Sequence, residues 1–315
     1  MKLINKTFYF FPLALIIILF ACDPDNNSNI NQGPDIITVD SLKINRKVLI
    51  IGIDGFRSDV MQEDMTPFMF SLQNRNCYYN LIHETEEITY SGPNWTAMLT
   101  GVHQNKHNVL DNSFDNYNFN DYPPFFHYLN QANINIQTTS VVNWTPINNH
   151  VLSNYADYAP ESSMNDLTVF ENAKQILLEQ DPLDADIIFL QFDELDGAGH
   201  SYGFSPATQE YVNTANAIDT YSSQLYNIIE NKRSEGEDWM FMIISDHGGE
   251  GTSHSDGSDP DVNRTIFIVE HPNLQLKADC CYFSNQSDLA PTVLDFLGVS
   301  SSHFDNNTDG LTIIE

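Results

Sequence analysis

Three apolar runs along the chain each end in an aspartate. They are Lys47 to Asp54 (KVLIIGID), Asp186 to Asp196 (DIIFLQFDELD) and Trp239 to His247 (WMFMIISDH). Unbroken β-branched, aromatic and long aliphatic residues over this length fit strands buried on both faces, as in the centre of a parallel sheet. Around them, residues 171–179 and 208–232 place apolar positions at helical spacing. The pattern also predicts a helix near 65–74, a strand near 84–90, a helix over 93–100 and a strand over 264–270, with a variable stretch from Ser113 to Asp166. Strands alternating with helices predict an α/β protein: a three-layer αβα sandwich with a mostly parallel central sheet. No internal repeat is visible.

In open α/β sheets the carboxyl ends of parallel strands share one edge, and ligands bind there. Asp54, Asp196, Asp246 and His247 are therefore expected to converge. Carboxylates crowded in a cleft repel one another and are costly to desolvate, so a cation is expected between them. Histidines beside the aspartates favour one or two divalent metals of the zinc type. Asp196 and His200 stand four residues apart, on one face if the segment is helical. Asp246 and His247 are adjacent, as at a tight strand-to-loop turn, and His254 follows on a glycine-rich loop able to fold back over the strand edge. This oxygen and nitrogen set, without cysteine, suits catalytic zinc, or manganese, better than a structural cysteine site.

Ser91 and Gly92 stand at the junction between the expected 84–90 strand and the following helix, whose first turn tolerates Pro93. A hydroxyl there faces free backbone N–H groups and the positive end of the helix dipole, which favour a phosphate or an alkoxide. Serine near neutral pH needs a base or a metal to become a nucleophile, and the aspartates imply the metal. Plainer readings stand beside these: strand-end aspartates and Ser91 can cap helices, His254 can be an ordinary loop residue, and Asn112 in an Asp-Asn pair can simply make a turn.

Ile53-Asp54-Gly55-Phe56-Arg57, Ser91-Gly92-Pro93-Asn94-Trp95 through Leu99-Thr100-Gly101, Asp196-Gly197-Ala198-Gly199-His200 and Ser245-Asp246-His247-Gly248-Gly249 occur in this order. Together with the segment from Ser287 to Gly298, they resemble the successive motifs of the alkaline phosphatase superfamily, nearest to its type I phosphodiesterase and nucleotide pyrophosphatase family. The likeness runs from about Lys47 to Gly298. It implies an alkaline phosphatase-like fold and two zinc ions, one held by Asp54, Asp246 and His247 beside the nucleophile Ser91, the other by Asp196, His200 and His254. It also implies a phosphate contact from Asn112, while Asn94 matches a residue that holds the turn. Three departures stand out. The family's usual threonine nucleophile is Ser91, its usual aromatic next to the nucleophile is Gly92, and its usual histidine two beyond the proline is Trp95. Loss of the ring at 92 weakens the expectation of a nucleotide substrate.

The resemblance thus implies a two-metal phosphoric ester hydrolase working through a phosphoseryl intermediate. A sulfatase or phosphomonoesterase of the same superfamily is the first alternative. Sulfatases, however, use one calcium, a paired N-terminal Asp-Asp and an arginine where Trp95 stands. A non-catalytic surface lipoprotein is the second alternative.

The amino terminus changes the picture of the compartment. Lys2 and Lys6 precede an apolar stretch from Phe8 to Phe20, and Leu19-Phe20-Ala21-Cys22 resembles a bacterial lipoprotein cleavage box. A signal peptide is expected over 1–21, lipid on Cys22, a flexible tether over 22–45, the catalytic domain over 46–298 with a small cap from 113–166, and a C-terminal tail over 299–315. The expected location is the cell envelope, on the periplasmic or outer face of a bacterial membrane, with an uncleaved anchor as the alternative. The 315 residues carry a formal charge of −30. Such a surface repels phosphate backbones, so a nucleic-acid polymer is not an expected partner and small phosphoesters are. With Cys22 lipidated, Cys77, Cys280 and Cys281 remain, and three thiols cannot all pair within one chain. No sequence feature identifies a protein partner.

Overall fold

The three apolar runs lie side by side in a single sheet. Its strands are β1 (Arg46–Ile53), β2 (Cys77–Glu84), β3 (Thr138–Val142), β4 (Ile187–Phe192), β5 (Asp238–Ser245) and β6 (Arg264–Glu270), in the spatial order β2-β6-β5-β1-β4-β3. The four strands β5, β1, β4 and β3 are mutually parallel, and β6 runs antiparallel to both β5 and β2. The computed structural model describes residues 37–132, 134–180, 183–278, 282–300, 303–304 and 308–315. The expected leader, Cys22, Cys280 and Cys281 lie outside the described residues.

Alternation along the strands divides the apolar residues between two cores. Val48 and Ile50 of β1 face one layer with Met98, Phe189, Met240, Met242 and the Leu289–Phe296 helix. Leu49, Ile51 and Ile53 face the other with Ile188, Leu190, Phe241, Ile243 and the helices Asp166–Leu177 and Gln209–Ser234. Each such side chain, removed from water, contributes about 2 kcal/mol. Helical layers on both faces make the expected three-layer αβα sandwich.

Register fixes the functional edge. Ile53 pairs with Phe192 on one side and with Ser245 on the other. Asp54, Asp193 and Asp246 therefore leave the sheet at the same level.

Two elements differ from expectation. The strand expected near 84–90 ends at Glu84, and residues 85–90 are a loop. Its backbone is held from outside a ladder: Thr85 N donates to Asn263 O, Glu86 N to Asn94 Oδ1 and Ile88 N to Gln104 Oε1. The Glu86 carboxylate accepts from Gln104 N and lies 2.7 Å from His103 Nδ1. These bonds tie the loop to the neighbouring helices. The 113–166 stretch, expected to build a cap, supplies β3 as an edge strand of the main sheet, and Phe125 and Phe126 from the same stretch are buried in the main core. Packed structure also extends beyond 46–298: Ile37 and Val39 are buried and bridge Ala132 and Val299, and Ile313 is buried.

Candidate active site

At the sheet edge β1 turns through Gly55, whose φ of +70° is left-handed; a Cβ there would meet Asp196 Cα at 3.0 Å. This close approach brings the Glu194–Tyr202 helix against the end of β1. Asp246 Oδ1 accepts from Gly55 N at 3.1 Å and from His247 N at 2.9 Å, which fixes the carboxylate and leaves its Oδ2 buried with no hydrogen-bond partner. Asp196 Oδ1 is likewise buried and unpartnered, while its Oδ2 lies 3.3 Å from His200 Nε2 on the same helical face.

The three histidines are oriented alike. His247 Nδ1 lies 2.8 Å from Gly248 O, His254 Nδ1 2.8 Å from Thr89 O and His200 Nδ1 2.9 Å from Thr252 O. A backbone carbonyl can only accept, so each Nδ1 carries a proton and each Nε2 is the ring nitrogen turned to the carboxylate cluster; burial lowers His247 and His254, which leaves their Nε2 atoms a lone pair. His247 and His254 stack with ring centroids 3.8 Å apart. Ligand atoms of Asp196, His200 and His254 form one close group, and those of Asp54, Asp196 and His247 a second.

Ser91 opens the helix Ser91–Thr100, ended by Gly101 in the left-handed conformation. Its Oγ lies 3.5 Å from Asp54 Oδ1 and 3.4 Å from His247 Nε2. His247 Nε2 is in turn 3.4 Å from Asp54 Oδ1 and 3.3 Å from Asp246 Oδ2. These distances are long for charged hydrogen bonds. They match two ligands about 2 Å from a shared tetrahedral ion, which stand about 3.3 Å apart. Orphaned carboxylate oxygens, inward-facing Nε2 atoms and this spacing all fit a divalent metal.

Electrostatics agree. Burial, then the charges of Asp246 and Asp196, raises Asp54 well above the usual carboxylate range. Burial raises Asp246 in the same direction, and lifts Asp196 to about 7 against the opposing pull of His200. Burial, then His254, lowers His247 well below the ordinary histidine value. Carboxylates held up and an imidazole held neutral form a cluster short of positive charge, which divalent ions would supply.

All six expected metal-binding residues and Ser91 therefore share one site. Asn112 is beside it: its Oδ1 accepts from Gly92 N at 2.8 Å, which fixes the amide at the nucleophile turn. Asn94 holds the turn from below, accepting from Glu86 N and donating to the carbonyls of Ile88 and Tyr90. Three residues at the site were not assigned roles from the sequence. Trp95 Nε1 donates to Asp54 Oδ2 at 3.0 Å, and Gln191 Nε2 donates to the same oxygen at 3.2 Å. Arg57 donates to the carbonyls of Phe204 and Gly249 and pairs with Asp59, Glu250 and Asp261, bracing the loop that leads to His254. Gln191 had a readable signal, since a polar side chain inside an otherwise apolar buried strand needs partners. A groove of about 720 Å³ lined by Asn143, Asn165, Thr168, Asp193, Glu194 and Tyr202, among others, opens beside the Asp196 helix and carries no basic residue among those lining it.

Comparison with known proteins places these features. A family profile described as type I phosphodiesterase / nucleotide pyrophosphatase matches residues 48–268. Among curated proteins the chain is similar to the bis(5'-adenosyl)-triphosphatase ENPP4 of Bos taurus, 26% identical over 224 residues, covering 64% of this chain and 47% of that protein. It is also similar to an uncharacterized pyrophosphatase/phosphodiesterase of Schizosaccharomyces pombe, 25% identical over 251 residues, covering 73% and 49%. The chain thus spans about half the length of these relatives. Among solved structures, murine ectonucleotide pyrophosphatase / phosphodiesterase 5, as an inactive variant in complex with AMP, superposes with a TM-score of 0.62 at 14% identity, covering 81% of this chain and 96% of that one. A 2-O GAG sulfatase superposes with a TM-score of 0.64 at 13% identity, covering 85% and 73%. At these identities the structural likeness establishes the shared alkaline phosphatase-like fold.

Proposed function

Because the chain belongs to the type I phosphodiesterase/nucleotide pyrophosphatase family, we propose that it is an exported two-metal hydrolase of small phosphodiesters with Ser91 as its nucleophile. The observation that carries this reading is the convergence of Ser91 Oγ with Asp54 and His247 at the edge where two groups of ligand atoms meet. Asp54, Asp246 and His247 would hold one ion, and Asp196, His200 and His254 the other. Bound there, zinc or manganese would supply Lewis acidity and lower the pKa of hydroxyl groups nearby.

The chain's own residues account for the rest. Ser91 Oγ forms the bond to phosphorus as its proton passes to solvent water, the bond from phosphorus to the leaving oxygen breaks, and that oxygen takes up a proton from solvent. The result is a phosphoseryl ester, which water then cleaves to a phosphomonoester and free serine. The N-terminus of the Ser91–Thr100 helix favours the negative charge that builds on the phosphoryl oxygens. Asn112, held by Gly92 N through its Oδ1, has its Nδ2 hydrogens to offer to one of those oxygens. The groove beside the Asp196 helix presents Asp193 and Glu194, which would repel further phosphates. Both it and the net charge of −30 favour a small diester with a neutral tail over a polyanion. Trp95, buried and donating to Asp54, stands where a sulfatase has its arginine.

Chelation is expected to abolish hydrolysis of bis(p-nitrophenyl) phosphate, and added zinc or manganese to restore it. Undiminished turnover by fully metal-stripped protein would overturn the reading. We place the protein in the cell envelope through lipid on Cys22; Cys22→Ser is expected to release it from the membrane fraction or stall processing, because a single short apolar stretch anchors weakly. Unchanged processing and membrane association would favour an uncleaved anchor.

A further inference from the structure

We propose that Trp95 and Gln191 act together as positioning residues that occupy Asp54 Oδ2, so that only Oδ1 is presented to the metal cluster. This rests on the reading of Asp54 as a ligand. Trp95 Nε1–H is a donor with no acceptor capacity. The orientation of Gln191 is equally fixed, because its Oε1 accepts from Trp144 N at 2.8 Å and only its Nε2 can face the carboxylates. That Nε2 reaches Asp54 Oδ2 and also Asp193 Oδ1, each at 3.2 Å. Two donors on one carboxylate oxygen saturate its two lone pairs. The remaining oxygen, Oδ1, is the one that lies 3.4 Å from His247 Nε2 and 3.5 Å from Ser91 Oγ.

The arrangement needs both the ring and the space beneath it. Trp95 is fully buried, edge-on to Phe189, and its six-membered ring lies over β1 at Gly52, where a Cβ would stand 2.6 Å from Trp95 Cη2. No other residue type at 52 admits the indole at this depth. Gly52 and Trp95, 43 positions apart, are thus one device, and Gln191 on the neighbouring strand supplies its second hydrogen bond. Two donors on one oxygen hold the carboxylate against rotation into a two-oxygen mode.

The test measures zinc affinity of the full protein by competition with a chromophoric chelator, with thermal unfolding as the control for folding. Trp95→Phe keeps a ring and removes the donor, and Gln191→Met keeps length and removes the amide. Each is expected to weaken one of the bound ions roughly 10- to 100-fold. Trp95→His restores a donor and is expected to recover part of the loss, which a purely structural role for the ring would not produce. Zinc added to the metal-free protein is expected to change tryptophan emission, and the change to be absent in Trp95→Phe, which retains Trp144 and Trp239. If Trp95→Phe does not fold, Gln191→Met and Trp95→His decide. Folded Gln191→Met that binds both ions as tightly as the parent, with no affinity difference between Trp95→His and Trp95→Phe where the latter folds, overturns the proposal. Asp54→Asn separates this from the wider reading. If it leaves zinc stoichiometry unchanged, Asp54 is not a ligand and the assignment under Proposed function fails. If it lowers stoichiometry while the Trp95 and Gln191 variants bind normally, only the positioning role fails.

Discussion

Ser91→Ala is expected to lower phosphodiester turnover roughly a thousandfold or more while the protein stays folded and keeps its metal. The hydroxyl is small, and its contacts with Asp54 and His247 are 3.5 and 3.4 Å, too long to contribute much to stability. The change in unfolding free energy should stay within about 1 kcal/mol. Turnover with bis(p-nitrophenyl) phosphate, the thermal midpoint and the metal content measure the three quantities. An acid quench of the parent during turnover should trap a phosphorylated peptide containing residue 91, and the variant should give none. A variant as fast as the parent would show that water attacks phosphorus directly, with Ser91 serving only to open the helix.

The second large effect is expected from Asp196→Asn. Asp196 is the one residue in both close groups of ligand atoms, with Asp54 and His247 in one and with His200 and His254 in the other. Neutralising it should lower the zinc content and cost several kcal/mol of transition-state stabilisation, seen as a loss of several orders of magnitude in kcat/KM. The metal-free protein should respond in the opposite sense. Asp196 is mostly buried, its Oδ1 has no partner, and its charge adds to the repulsion on Asp54. Removing that charge should raise the thermal midpoint of the chelated protein even as it removes activity. Elemental analysis and paired melts with and without chelator check both halves. Parent-like zinc content and activity in Asp196→Asn would show that the carboxylate is not a ligand.

The site was more legible in the sequence than its surroundings were. Buried parallel strands are recognisable because both faces must be apolar, and the abrupt arrival of Asp54, Asp196 and Asp246 after such runs marks the common edge. The four-residue step from Asp196 to His200 reads correctly as one helical face because helix geometry is local. β3 was illegible for the converse reason. Thr138–Val142 is a five-residue strand with three hydroxyl residues, and its placement depends on partners distant in sequence, β4 on one side and the segment at Asp157 and Tyr158 on the other. The 85–90 loop misled because Thr85, Ile88, Thr89 and Tyr90 are residue types that favour strands, while its hydrogen bonds go to Asn94, Gln104 and Asn263, partners that no local pattern shows. Trp95 gave no sign of its contact with Asp54, since the only clue, a glycine inside β1, has meaning once the indole is known to lie over it.

The turn at Gly92 bears on how this lineage can change. A side chain there would begin 2.7 Å from the carbonyl oxygen of Asp111 and 3.0 Å from Asn112 Oδ1, so the space beside Gly92 is filled by the 111–112 segment. An aromatic residue at 92 would require the 111–112 segment to withdraw, and withdrawal would release the Asn112 amide from Gly92 N. New contacts to a substrate are therefore expected to be gained more readily at other walls of the site than at residue 92.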